Sequence, residues 1–457
     1  MKNNRSFIVT VLITLYLVLC PFALPAQELL TLDSCLAYAK QRNCTIQSAQ
    51  LEVAISREMK KQMLWLYFPQ VGLNGFAFGA VRPLIEFDVR DVSNSSDMKD
   101  FLSELFNLIK ESDPESNVDP IIRKIRWGVS AQGQALQPLY WGGQIVSANK
   151  LAKLGIEASQ LKQEVSERDV LQEVTETYWL IAGLLEKQAT VDKVVTLLDT
   201  INEVAQLAFN NGLVTGNDLL RVQLKQNEIQ TNALKLKNGI ELASRLLCHM
   251  IGREYTQPLL LEPTAAENIW ENLPAEPKEN NALNRPEHQL LGLNVQYNRL
   301  MKRLTLGESL PHLAIGISGG YSNYFERDKW NGVAFATLSV PLTQWGQTAH
   351  KLKQHDFKMQ QALWMQQDLT AKLILQNRQT YDQLLEAAQL TDQHQSAVRL
   401  AEDNYHRAIM NYRAGLATMT ELLEAEALLL QARNNLTDAR ISYRTTLRKY
   451  LDFTQHH

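Results

Sequence analysis

The sequence predicts a mainly α-helical chain with a β-barrel portion, built twice over from one plan. Three observations carry that expectation. Two long stretches lack proline and repeat their apolar residues at helical spacing. Short glycine-rich stretches alternate apolar and polar residues instead. An internal repeat holds a single register from residue 138 to residue 220.

The first 26 residues stand apart from all of this. Lys2 and Arg5 precede the apolar run Phe7–Leu19, and Ala23-Leu24-Pro25-Ala26 ends on a small residue. That is the plan of a secretory signal peptide cut after Ala26. The run is too short to span a bilayer as a helix. Leu19 stands where a small residue should precede a lipidated Cys20, which favours simple cleavage. The exported chain, residues 27–457, then carries 44 Lys+Arg against 49 Asp+Glu. This balance offers no basic surface for nucleic acid. A mean hydropathy of -0.23 excludes a bundle of many transmembrane helices, but not barrel strands, whose alternation averages out. Cys35 and Cys44, nine residues apart, face opposite sides of a helix and cannot bridge within one. With no CxxC present, Cys35, Cys44 and Cys248 are expected to be buried small apolar residues.

Strands are expected near 70–81, 127–135, 312–321 and 331–340. Trp127, Val129, Ala131 and Ala135 alternate with Ser130, Gln132 and Gln134. Leu313, Ile315, Ile317 and Tyr321 alternate with His312, Ala314, Gly316, Ser318 and Gly320. Segments of about ten residues with one apolar face suit tilted barrel strands. Trp141 and Trp345, beside strand ends, fit either interfacial anchors or plain packing at a strand–helix junction. The long helices are expected over Gln144–Phe209 and Gln347–Tyr412, each about 100 Å at ~1.5 Å per residue. Their apolar residues recur at sevens, as in Leu154 and Leu161 or Val174 and Ile181, the mark of coiled-coil-like seams.

The repeat organises these segments. Pro138-Leu139 and Gly143-Gln144 align with Pro341-Leu342 and Gly346-Gln347 at an offset of 203. The same offset brings Phe209, Gly212-Leu213 and Asp218-Leu219-Leu220 onto Tyr412, Gly415-Leu416 and Glu421-Leu422-Leu423. Upstream, Phe68-Pro69 aligns with Leu310-Pro311 at an offset of 242. The excess of 39 residues falls at 83–123, a polar stretch with a short helical run near 98–110. It is expected to be an exposed loop on the outer face, with a plug as the alternative. Residues 27–251 thus form the first copy and 286–457 the second. The proline-rich segment 252–285 links them.

Each long helix must reverse at its tip. Gly212 and Gly415 are placed to supply a left-handed turn there. Thr215-x-x-Asp218 and Thr418-x-x-Glu421 have capping-box spacing for the returning helices. Capping leaves Glu424 unexplained; it lies three residues past Glu421, on the same face.

Signal peptide, Leu32-Asp33-x-x-Leu36-Ala37 opening, two Pro-Leu-x-x-x-Gly-Gln helix entries and two Gly-Leu tips together resemble the outer-membrane efflux protein family, the TolC-like channels. The resemblance covers essentially the whole exported chain. It implies a homotrimer in which each chain gives four strands to a twelve-stranded outer-membrane barrel, continued by a long periplasmic α-helical barrel. It implies a passive exit duct for efflux or type I secretion in a Gram-negative cell. Its partners would be a periplasmic adaptor, an inner-membrane pump driven by protons or ATP, and outer-membrane lipid. By the same resemblance Gly212, Leu213, Gly415 and Leu416 would meet the adaptor. Asp218 and Tyr412 would latch the periplasmic entrance, and Glu421 and Glu424 would ring it with carboxylates. Ala417 departs from the family, whose best-known member has an arginine in that latch; the departure implies either a less tightly locked closed state or Arg413 as the substitute.

No chemistry of another kind is visible. The nine histidines show no metal-ligand spacing, and His350 and His355, five apart at a helix start, read as solvated surface residues. No nucleophile elbow, phosphate loop or dinucleotide fingerprint occurs, so neither an enzyme nor a cofactor is expected. The rival readings are a non-conducting periplasmic adaptor or structural coiled-coil protein, and a closed adhesin-like trimer.

Overall fold

The computed structural model describes residues 29–82, 85–87, 123–125, 127–212, 214–262, 269–271, 273–278, 280–324 and 327–454. The signal peptide, the helical run near 98–110 and Leu213 lie outside them. In chain order the elements are β1 (Leu29–Leu30), α1 (Leu32–Arg42), α2 (Cys44–Leu64), β2 (Gln70–Gly79), β3 (Ile85–Phe87), β4 (Arg123–Ile125) and β5 (Trp127–Trp141). Then follow α3 (Gln144–Asn210), α4 (Gly216–Met250), β6 (Leu260–Leu261), α5 (Asn280–Leu283) and α6 (Pro286–Glu308). The chain closes with β7 (His312–Tyr324), β8 (Arg327–Ser339), α7 (Trp345–Arg413) and α8 (Met419–Thr454). The chain forms two compact units, and the divisions fall inside α2, α3, α6 and α7, at 54/55, 157/158, 292/293 and 363/364.

The unit made of residues 55–157 and 293–363 contains the four-stranded antiparallel sheet, in the order β2-β5-β7-β8. Register converts the sequence alternation into two faces. Val71, Ala135, Ile317 and Ala334 pair in a row across all four strands, and Ala131, Tyr321 and Trp330 in another. Paired residues share a face, so Val71, Leu73, Val129, Ile315, Ile317, Tyr321, Trp330 and Leu338 collect on one side. Nearly all of them are exposed: Val71 at 80 %, Leu73 at 81 %, Trp330 at 80 %. The other side carries Asn74, Ser130, Gln132, Gln134, Ser318 and Asn331, with Phe76 and Phe335 among them. Among the described residues β2 and β8 are edges, each paired on one side only.

Two expectations change here. β5 runs to Trp141, through Pro138, instead of stopping near 135. Proline is tolerated because the β2 pairing ends at Leu136, so Pro138 lies where only β7 is paired, and the register shifts between Pro138 and Tyr140. The 83–123 excess is not all loop: β3 and β4 pair at its two ends, Ile85 with Ile125 and Phe87 with Arg123. Trp141 stacks on His312 with ring centroids 4.6 Å apart, which is packing. Trp345 stays 53 % exposed while its indole N–H donates to the Ser309 carbonyl at 3.0 Å.

The second unit takes in the described parts of residues 1–54, 158–292 and 364–457. One core gathers Leu36, Ala39, Ile46, Val174, Tyr178, Ile181, Leu247 and Ile251, where α1, α2, α3 and α4 meet. The Tyr178 hydroxyl donates to the Leu30 carbonyl at 3.2 Å, and β1 pairs in parallel with β6, so the linker docks beside this core. Another core, Leu384, Ala388, Tyr443 and Tyr450, joins α7 to α8. Cys35 and Cys248 are buried as expected, but Cys44 is exposed. It opens α2 directly after Asn43, whose side chain accepts from the Thr45 amide, and a first-turn position there faces solvent. His355, expected on the surface, is half-buried, its Nε2 3.0 Å from the Thr305 hydroxyl of α6. Burial holds its pKa below the usual imidazole value, helped by nearby Lys358.

Candidate functional site

The two helical tips share one core. Val194, Leu198 and Ala205 of α3, Leu219, Val222 and Ile229 of α4, and Met419, Leu422 and Leu423 of α8 are buried together, with Tyr405, Ile409 and Tyr412 of α7 packed against them.

α3 ends with Gly212 at φ +70°, its N–H bonded to the Phe209 carbonyl. α7 ends with Gly415 at φ +73°, its N–H on the Tyr412 carbonyl at 3.0 Å and the Leu416 N–H on the Asn411 carbonyl at 2.8 Å. That pair of bonds is a Schellman motif. Both returning helices start with a reciprocal cap. The Thr215 amide donates to Asp218 Oδ2 at 3.2 Å and the Asp218 amide to Thr215 Oγ1 at 3.3 Å. The Thr418 amide donates to Glu421 Oε2 at 2.7 Å and the Glu421 amide to Thr418 Oγ1 at 3.3 Å. The expected turn and capping geometry is thus present at both tips.

The other sequence-singled residues divide. Leu416 is 80 % exposed at the second tip. Glu421 and Glu424 are both exposed on the first turns of α8. Tyr412 and Asp218 are brought near one another: burial first, then the Asp218 charge, raise the Tyr412 phenol above its ordinary value. Among the described residues no hydrogen bond joins them, because Asp218 Oδ2 is held by the Thr215 amide and hydroxyl. Arg413 is exposed and makes no ion pair among the described residues.

Two tip features escape a sequence reading. Arg221 of α4 donates to Thr420 Oγ1 of α8 at 2.7 Å, tying one returning helix to the other. Glu426 of α8 is 3 % exposed, and neither carboxyl oxygen has a hydrogen-bond partner among the described residues. Burial pushes its pKa up; Lys225 pulls it back and Glu228 pushes it further. Its position on the buried face, level with Leu422 and Leu429, is the only sequence signal that could have found it.

Among the described residues no group of histidine, cysteine and carboxylate side chains could hold a metal, and no helix is long and apolar enough to cross a membrane. A sheet with one exposed apolar face and two edges, together with helices of 67 and 69 residues that end in paired tips, defines a class. That class is a strand-bearing unit joined to a second unit of long paired helices. Residues 292–449 match the family of outer membrane efflux proteins. The alkaline protease secretion protein AprF of Pseudomonas aeruginosa is 25 % identical over 256 residues, 53 % of this chain. The match spans 52 % of that relative's own length. In fold the chain is similar to the outer membrane protein VceC of Vibrio cholerae, with a TM-score of 0.69 at 15 % identity, over 92 % of this chain and 95 % of the other. It is also similar to the outer membrane channel CmeC of Campylobacter jejuni, with a TM-score of 0.76 at 14 % identity, over 92 % and 85 %. The fold is that of the TolC-like outer-membrane channels.

Proposed function

We propose that this chain is the outer-membrane exit duct of a tripartite efflux or type I secretion system. The observation that carries the reading is the sheet: four strands, one exposed apolar face, and edges at β2 and β8. Open edges are not tolerated in lipid, so four strands require copies of themselves. Three copies, each joining its β8 to the next chain's β2, would close a twelve-stranded barrel with Val71, Ile317 and Trp330 toward lipid. Both barrel and helices then belong to a Gram-negative outer membrane and the periplasm beneath it.

The work is passive. A water-filled conduit spares polar cargo the hydrocarbon core, while an inner-membrane pump reached through a periplasmic adaptor supplies the energy. The likeness to a protease secretion protein favours the secretion arm as a first assay. At the tips, the exposed Leu416 and its repeat mate Leu213 would meet the adaptor, with Gly212 and Gly415 shaping the turns. Glu421 and Glu424 from three chains would ring the entrance with six carboxylates, whose mutual repulsion attracts cations. Tyr412 and Asp218 would act as the closed-state latch through their proximity.

The test is the purified exported chain. A heat-sensitive trimer that conducts in a planar bilayer is the expected result. A soluble monomer, or a trimer without conductance, overturns the duct.

A further inference from the structure

A cavity of about 270 Å³ lies in the unit that holds the tips, lined from α3 by Arg168 and Asp169, from the start of α6 by Arg285 and Glu287, and from α8 by Lys449, Asp452 and Phe453. Gln172 and Gln376 complete its wall, so three basic and three acidic side chains face it. Arg285 has a side chain only 6 % exposed, lying 4.0 Å above the Phe453 ring. Its Nη2 reaches Glu287 Oε1 at 3.2 Å, and Arg168 Nη2 reaches the same oxygen at 2.7 Å. Two guanidinium groups therefore share one carboxylate oxygen.

What remains is unmatched. Arg285 Nε, Arg285 Nη1 and Arg168 Nη1 are buried donors with no acceptor among the described residues, against one such acceptor on this pair, Glu287 Oε2. Lys449, half-buried in the same wall, has no ion-pair partner among the described residues. The remaining acids are already engaged: Asp169 accepts from Arg168 at 2.9 Å and Asp452 pairs with Arg448 at 3.2 Å. Burial brings the Arg285 guanidinium down to about 10, with Arg168 adding to the effect and Glu287 resisting it. It stays charged at neutral pH. Water could satisfy its N–H groups, but only Glu287 and Asp169 stand against the charges of Arg285, Arg168 and Lys449, and buried guanidinium groups that share a carboxylate are costly.

We infer that this cavity is a binding site for a small oxyanion of phosphate or sulfate type, held by Arg285, Arg168 and Lys449 through charge-assisted hydrogen bonds. A bound oxyanion would accept from α3, from the start of α6 and from α8 at once, tying those three segments together. It is independent of the duct reading, since it requires only the folded chain.

The experiment follows thermal unfolding of the purified full chain in detergent, in Tris-chloride buffer. Inorganic phosphate is titrated while chloride keeps the ionic strength constant. The parent should show a saturable rise in Tm. Lys449→Gln, at a half-buried position that folding tolerates, should need about tenfold more phosphate for half the effect. Arg285→Gln should abolish the effect. A parent whose Tm does not rise with phosphate at constant ionic strength overturns the site, and so does a Lys449→Gln titration with the parent's midpoint. If Arg285→Gln does not fold, the Lys449→Gln midpoint decides.

Discussion

The two tips are built to the same plan and end up with different surfaces. At the first, three residues beyond the capping acid Asp218 comes Arg221, which reaches across to Thr420. At the second, three residues beyond Glu421 comes Glu424, exposed and unpaired among the described residues. Farther along, half-buried Gln223 of the first copy stands where the second buries Glu426. Turn and cap survive the duplication because glycine geometry and a capping box tolerate little else. Charge is free to diverge on a helix face that no turn constrains. The second tip has become the acidic one, and the first supplies the cation that ties the two together.

The comparison breaks hardest if the tips are inert. Leu213→Asp with Leu416→Asp should leave the trimer intact in outer-membrane extracts and abolish export in a susceptibility or secretion assay. Unchanged export would remove the docking role from both tips. Less severely, Glu421→Gln with Glu424→Gln should reduce cation over anion selectivity severalfold in single-channel recordings, while Arg221→Ala should not lower it. Selectivity lost equally from both tips would erase the asymmetry.

Glu426→Gln, which copies Gln223, sharpens the contrast through stability. Folding holds this carboxyl above its ordinary value near 4.5, so the folded state keeps a proton that the unfolded state gives up as pH rises. Parent stability from this group is therefore retained at low pH and lost as pH climbs from about 4.5 through the raised value. The variant should match the parent at pH 4 and exceed it at pH 7.5 by about 1–3 kcal/mol, read as thermal unfolding at both pH values. Equal stability at both would mean that the carboxyl finds a partner after all.

Gly415→Ala and Gly212→Ala should each cost about 1 kcal/mol, and by similar amounts. No atom lies within 4 Å of either added Cβ, so the left-handed φ is the whole cost. Smallest of all, Tyr412→Phe with Asp218→Ala should raise basal conductance modestly, by removing a proximity that is electrostatic and not a hydrogen bond. Closed-state conductance identical to the parent would leave Asp218 as a cap alone.

Periodicity, spacing and the repeat determined by themselves that two helices of about this length run into glycine-turned, threonine-capped tips, and that four alternating strands accompany them. These are local matters, governed by backbone geometry and by which face a residue occupies at period 2 or 3.6. Only the tertiary structure decided what those faces meet. It carried β5 through Pro138, because pairing on one side had already ended. It held Asp218 on its own cap, near Tyr412 but not hydrogen-bonded to it, because a carboxylate three residues from the N-cap is nearer its own backbone than a neighbouring helix. It sealed Glu426 in a core and set Arg168 and Arg285 on one carboxylate oxygen. Such encounters join residues far apart along the chain, and nothing in a chain's local pattern encodes which distant charge will be left without a partner.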